Sequence, residues 1–178
     1  MTLKVLIISD RPDYRQLLAH HVTLEWADAL PAEYEPASRG RLQPNFTGMA
    51  YDAVLLDHDV QAGRGHEWLR DLSGRPHFPP IIYFNDSVGE AELEAAHAAG
   101  AQHVLARGDF EHDQLVMLLR MAMVRRHNVL AETTRAAREP PATDRFGSAR
   151  IRGYRCLRRL AVGGSASVFL AEYERDGQ

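Results

Sequence analysis

The chain has 178 residues, of which 45% are hydrophobic and 25% charged, and its formal net charge is −3. This composition is typical of a globular protein and excludes a disordered or fibrous one. The uninterrupted apolar runs are too short for a membrane span or a signal peptide, so we expect a cytoplasmic protein without a membrane partner. The single cysteine, Cys156, excludes an internal disulfide and a zinc site built from several thiolates.

The charged residues divide the chain into two parts of opposite sign. Residues 1–124 contain 10 Lys or Arg against 18 Asp or Glu, whereas residues 125–178 contain 11 against 6. Only one of the 21 basic residues is a lysine, Lys4. The length accommodates one complete domain with an appendage, and the difference in charge indicates that these are separate modules.

The first part of the chain alternates between short apolar runs and helical segments. The apolar runs predict strands at residues 3–9, 51–56, 80–84 and 104–106. Prolines and a glycine interrupt residues 27–50, where we expect one short strand near residues 32–35 and then a poor helix or a loop. Helices are predicted from Pro12 onwards, at residues 67–72 and at residues 90–99. Because continuous apolar strands separated by helices are typical of a sheet covered on both faces, we predict an α/β fold with a doubly wound, five-stranded parallel sheet.

A long helical segment follows these strands. It spans residues 113–137 without proline or glycine, which is about twice the usual helix length. Between Leu115 and Val124 every residue except Arg120 is apolar, and such a helix needs cover beyond its own domain. We therefore expect a partner surface here. Residues 139–150, which include two prolines and a glycine, are predicted to be a linker.

Polar side chains follow the predicted strands at the points where the strands end. They are Asp10, Asp57, Asp59, Asn85, Asp86 and Arg107. In an open parallel sheet, ligands bind at the carboxyl ends of the strands. Oxygen donors that converge there suit Mg²⁺ and leave one carboxylate oxygen free as a nucleophile toward phosphorus. The alternative is that these residues only cap helices and turns.

Four segments, in their order along residues 3–125, resemble the receiver domains of two-component response regulators. They are LIISDRP, YDAVLLDHDVQAGRG, PPIIYFND and AGAQHVLARGDF. The resemblance implies a flavodoxin-like receiver fold in which Asp57 accepts a phosphoryl group from a histidine kinase. It also implies that Asp10 is one of two metal-binding acids and that the backbone carbonyl of Asp59 completes a Mg²⁺ site. Gly65 matches the glycine of the following loop.

Five positions depart from the pattern of that family: Ser9 for an acid, Gln61 for a proline, Asn85 for a hydroxyl residue, Val104 for an aromatic and Arg107 for a lysine. An arginine is always charged and forks bidentately, so we expect Arg107 to hold Asp57 in a buried ion pair. Since the switch positions Asn85 and Val104 lack the usual hydroxyl and aromatic, we expect a degenerate receiver that works mainly as a protein-interaction module. The alternative is a working phospho-accepting receiver with Mg²⁺ at Asp57.

Residues 154–178, YRCLRRLAVGGSASVFLAEYERDGQ, resemble the start of a Hanks-type bacterial Ser/Thr protein kinase. We expect two strands around a turn of small residues. The resemblance implies a nucleotide-binding loop, with a valine against the adenine, formed by Ala161, Gly163, Gly164, Ala166 and Val168. The ATP-contacting lysine and the catalytic loop of that family do not follow within the chain. We therefore expect a piece of a longer receiver-kinase protein, and ATP binding only in that protein.

Two other classes of function fit parts of the sequence. Five arginines between residues 150 and 159 are able to neutralise DNA phosphates, but no recognition helix follows them, so we expect no nucleic-acid partner. The spacing of Asp57 and Asp59 also occurs in haloacid-dehalogenase-like phosphatases, whose later lysine this sequence does not supply.

The expected organisation is a receiver-like domain at residues 1–125, a helix extension at 126–138, a linker at 139–150 and the start of a kinase small lobe at 151–178. The expected partners are a second copy of the chain through the Leu115 to Val124 helix, or the kinase domain, together with a histidine kinase.

The nine histidines show no metal-ligand spacing. His20 and His21 are adjacent and face different ways on a helix, and His58 points to the opposite side of its strand from Asp57. We predict that the histidines are surface or packing residues.

Overall fold

The structure is a computed structural model that describes residues 2–86, 88–138, 154–162 and 167–173. The chain divides into two compact units, Met1–Asn128 and Val129–Gln178. The predicted boundary at residue 125 stays a prediction, as does the linker at 139–150, which lies outside the described residues.

The first unit contains a five-stranded, fully parallel sheet with the strand order β2-β1-β3-β4-β5. Its strands are β1 (Lys4–Ile8), β2 (Leu30–Tyr34), β3 (Ala53–Asp57), β4 (Ile81–Asn85) and β5 (His103–Ala106). The helices are α1 (Pro12–Glu25), α2 (Pro36–Arg39), α3 (Gly65–Ser73), α4 (Glu90–Ala98) and α5 (His112–Arg138). The predicted doubly wound α/β fold is confirmed, and so is the long last helix. The second strand begins two residues earlier than predicted, because it continues to pair with β1 as far as Leu30.

Two apolar layers enclose the sheet. Successive side chains of a strand point to opposite faces, so a strand that is covered on both sides must be apolar throughout. Every residue of β3 is buried. Leu55 packs in the layer that contains residues of α1 and α5, whereas Val54 and Leu56 pack in the layer that contains residues of α3 and α4. The polar strand ends lie next to the point where the chain reverses direction across the sheet, between β1 and β3.

The last helix of the first unit has two distinct faces. Its inner face is buried in the core through Leu115, Leu118, Leu119 and Ala122. Its outer face carries Met117, Met121 and Val124, which are 53%, 50% and 62% exposed. No helix among the described residues is long and apolar enough to cross a membrane.

The second unit contains an antiparallel pair, β6 (Tyr154–Val162) and β7 (Ser167–Tyr173). Ala161 is opposite Val168 in this register. The predicted loop residues Gly163, Gly164 and Ala166 lie outside the described residues.

A histidine pair joins α1 to the beginning of α5 and makes the fold sensitive to acid. The Nδ1 atoms of His21 and His112 are 3.0 Å apart, and the two rings stack. Burial lowers the pKa of His21 below its usual 6.5, and the charges of His112 and His20 lower it further. The unfolded chain therefore takes up the proton first as the pH falls below about 6.5, and folding stability decreases through that range.

We predict that His21→Gln makes the free energy of unfolding less dependent on pH between 7.5 and 5. Urea unfolding of the full chain at several pH values measures this slope, with exposed His127→Gln as the control variant. An unchanged slope in the His21 variant would contradict the prediction.

Candidate functional site

The carboxyl ends of four strands bring the polar residues of the sequence analysis into one region. Asp57 and Asn85 are the last residues of β3 and β4, Ser9 follows β1, and Arg107 follows β5. The parallel registers place these ends side by side; Ile8 is opposite Leu56, for example. Ser9, Asp57, Asn85 and Arg107 are all buried.

Both carboxylate oxygens of Asp57 are already occupied. Oδ2 accepts a 2.6 Å hydrogen bond from the hydroxyl of Ser9, and Oδ1 accepts a 3.3 Å bond from the backbone N–H of Asp59. The Nη2 atom of Arg107 lies 3.1 Å from the same Oδ1. Asp57 is fully buried, so its charge depends on these partners instead of on water. In this arrangement each oxygen of the Asp57 carboxylate already has a partner within the protein.

Arg107 contacts three carboxylates, one with each nitrogen of its guanidinium. Nη2 reaches Asp57, Nη1 donates a hydrogen bond to Asp59, and Nε lies 3.2 Å from Asp86. Only the contact with Asp59 has hydrogen-bond geometry; the other two are ion pairs by distance, with their N–H bonds poorly aligned. Arg107 therefore acts here mainly as a buried positive charge that ties together the loops after β3, β4 and β5.

The contacts of Arg107 shift the pKa values of both Asp59 and Arg107 itself. The hydrogen bond from Arg107 lowers the pKa of Asp59 below its usual range. Burial opposes the charge of Arg107, but the hydrogen bond with Asp59 and the charges of Asp57, Asp59 and Asp86 outweigh it and raise the pKa of the guanidinium. Because an arginine side chain does not lose its proton in proteins, Arg107 is a permanent positive charge in this region.

Asp10 uses both of its carboxylate oxygens on backbone groups. Oδ1 accepts a 2.6 Å hydrogen bond from the N–H of Ala37, and Oδ2 a 2.5 Å bond from the N–H of Gln61. Gln61 has φ of +49°. A proline at this position has no N–H to donate and holds φ near about −65°, so the replacement of proline by Gln61 makes the second bond possible.

The donors that receiver-type metal binding requires do not fit Mg²⁺ in this arrangement. Ser9 supplies a hydroxyl in place of a carboxylate, and the oxygens of Asp10 and Asp57 are engaged as described above. The backbone carbonyl of Asp59 accepts a weak 3.5 Å bond from the N–H of Gly63. Mg²⁺ prefers several hard oxygen ligands in an octahedral arrangement, and the two carboxylates that would supply them here already accept hydrogen bonds from the protein.

The two switch positions are occupied by side chains with other contacts. Asn85 donates from Nδ2 to Glu92 Oε1 at 2.7 Å, and its Oδ1 accepts from the N–H of Asp86 at 2.9 Å. Val104 is half-buried and packs against the layer that contains residues of α3 and α4. The amide of Asn85 is therefore tied to α4.

One cluster in this region was missed by the sequence analysis. His58, His66 and Glu92 come together beside Asn85, each with a potential metal-ligand atom within 4.8 Å of the others. Their separations along the chain, 8 and 26 residues, match no ligand motif. No signal in the sequence would have identified them, because the fold brings them together from the loop after β3, from α3 and from α4.

No protein-family model and no curated protein sequence matches the chain. Its structure is similar to those of solved receiver domains, among them the following. The signal receiver domain of a DNA-binding response regulator from Colwellia psychrerythraea 34H is 15% identical, with a TM-score of 0.55 over 66% of this chain and 98% of that one. The BeF3-activated N-terminal receiver domain of RstA from Klebsiella pneumoniae is 21% identical, with a TM-score of 0.55; the match covers 67% of this chain and 97% of that one. The chemotaxis protein CheY4 from Vibrio cholerae is 19% identical, with a TM-score of 0.53; the match covers 68% of this chain and 99% of that one. The first unit thus has the α/β fold of response-regulator receiver domains.

Proposed function

We propose that residues 1–125 form a receiver-like regulatory domain that works mainly as a protein-interaction module and does not switch by phosphorylation of Asp57. The observation that carries this proposal is the engagement of both Asp57 oxygens, one with Ser9 and one with Arg107 and Asp59. A phosphoryl group that approached Asp57 would have to displace or loosen these contacts, because one carboxylate oxygen has to form the new bond to phosphorus.

Arg107 is poorly suited to leave Asp57 and bind a transferred phosphoryl group. Removing one partner of a buried ion pair costs about 3–5 kcal/mol, because the other charge is left without compensation. Arg107 is also held by Asp59 and Asp86, so its departure would break three contacts at once. Asn85, which bonds to Glu92, has no hydroxyl to offer a phosphoryl group.

The competing function is a phospho-accepting receiver that takes its phosphoryl group from a histidine kinase. One observation favours it: Asp57, Asp59 and Asp86 together carry three carboxylates against the single guanidinium of Arg107. This excess negative charge would be reduced by a bound cation.

A thermodynamic cycle tests the ion pair. We predict that Arg107→Met lowers the free energy of unfolding by about 3–5 kcal/mol and that adding Asp57→Asn recovers most of the loss. Urea denaturation of the full chain measures both effects. The control is Arg41→Met, which breaks an exposed ion pair with Glu67 and should cost no more than about 1 kcal/mol. Additive effects of the two site substitutions would contradict the coupling.

A titration with Mg²⁺ and beryllofluoride tests the absence of switching. Trp68 is buried and its Nε1 donates to Gln61 Oε1 at 3.1 Å, so its fluorescence reports on the loop after β3. In a Trp26→Phe background we expect no saturable change on titration with Mg²⁺ and beryllofluoride. If the Trp26→Phe protein responds and loses the response on Asp57→Asn, the phospho-accepting function is correct.

We propose a second copy of the chain as the partner of α5. Met117, Met121 and Val124 are spaced at i, i+4 and i+7, so they form one exposed apolar stripe. The alternative occupant of this stripe is the kinase domain of a longer protein.

We predict that the full chain dimerises reversibly and that Met121→Glu shifts it to the monomer. Sedimentation velocity over a range of concentrations measures this. Met49→Glu is the matched control, since Met49 is 58% exposed and does not belong to α5. A strict monomer at high concentration would rule out the dimer.

We also propose that residues 151–178 begin the small lobe of a Ser/Thr protein kinase that the receiver-like domain regulates. The support is the pairing of β6 with β7, two antiparallel strands joined by residues 163–166. In this proposal ATP binds only in the longer kinase.

A further inference from the structure

A cluster of two imidazoles and one carboxylate lies beside the Asp57 region. His58 follows β3, His66 is in the first turn of α3, and Glu92 is in the first turn of α4. One potential ligand atom from each of the three residues lies within 4.8 Å of the other two. The residues are partly buried, so the cluster remains open to solvent.

His66 supplies an independent observation that points to a ligand. Its Nε2 atom is buried and has no hydrogen-bond partner among the described residues, although it lies 3.2 Å from Glu92 Oε1. That separation is short enough for an ion pair when His66 is protonated, but the direction does not suit a hydrogen bond. Buried polar atoms in native proteins are almost always paired, so an imidazole nitrogen that faces a carboxylate and a second imidazole without a hydrogen bond requires an explanation.

The surrounding residues orient the cluster in the manner of a metal site. The hydroxyl of Tyr83 is 2.6 Å from His58 Nδ1 and fixes the ring, and Asn85 Nδ2 donates to Glu92 Oε1. Such outer hydrogen bonds commonly hold metal ligands in place. The close approach of Tyr83 and His58 requires a glycine at position 65. A Cβ there would lie 2.5 Å from the Tyr83 hydroxyl and 2.7 Å from His58 Cα.

We propose that His58, His66 and Glu92 form a binding site for a divalent transition metal of the zinc class. Two imidazole nitrogens and one carboxylate oxygen suit Zn²⁺ or Co²⁺, whereas Mg²⁺ and Ca²⁺ prefer oxygen ligands throughout. Three protein ligands leave a position for water or for a group from a partner. The site does not depend on the chemistry of Asp57, so this proposal is independent of the proposed receiver function.

The experiment uses the full chain without an affinity tag. Isothermal titration with Zn²⁺ is expected to show one saturable site that survives a large excess of Mg²⁺. His66→Gln and Glu92→Gln each remove one of the three proposed ligands and should weaken Zn²⁺ binding by at least the roughly tenfold that loss of an outer-shell partner costs. His112→Gln is the matched control, because His112 lies in the separate pair with His21. Unchanged Zn²⁺ affinity in His66→Gln, or loss of binding in His112→Gln, overturns the proposal.

A measurement on the unmodified protein covers the case in which a variant fails to fold. Co²⁺ should shift and broaden the NMR signals of the His58 and His66 rings and leave those of His20 in place. Paramagnetic shifts confined to His20, His21 and His112, or no shifts at all, also overturn the proposal.

Discussion

The ion pair between Arg107 and Asp57 is the interaction on which the rest of this region depends. Asp57 is fully buried at the end of the central strand β3, where an uncompensated carboxylate would cost several kcal/mol. The guanidinium compensates that charge and also reaches Asp59 and Asp86, so a single side chain links the ends of β3, β4 and β5. Ser9 adds a neutral donor where a second acid would repel Asp57.

The residues around this pair use their polar groups for structure. Asp10 ties the start of α2 to the loop after β3 through two backbone N–H groups, and Gln61 provides one of them in a left-handed conformation. Asn85 is bound to Glu92 on α4. Asp10 thus uses oxygens that receiver-type metal binding would need, and Asn85 has no hydroxyl for a phosphoryl group, which is why we favour an interaction module over a phosphate switch.

The arrangement also explains why a second cluster forms so close to the first. Because Asn85 holds Glu92 toward the sheet, the carboxylate lies beside His66, and Tyr83 holds His58 on the same side. Asn85 therefore connects the Asp57 region with the histidine cluster. Its amide contacts Glu92, and the next residue, Asp86, contacts the guanidinium of Arg107. A ligand at either cluster would act on the same short segment after β4.

The α/β sheet could be predicted from residues alone, because strands buried on both faces must be apolar at every position, and this pattern is local. The same pattern placed Asp57 and Arg107 at strand ends, which parallel pairing brings to one edge. The bonds of Asp10 to Gln61 and Ala37, and the meeting of His58 and His66 with Glu92, became visible only in the folded molecule. Those contacts depend on how separate loops and helices pack over the sheet edge, and no residue spacing along the chain encodes that geometry.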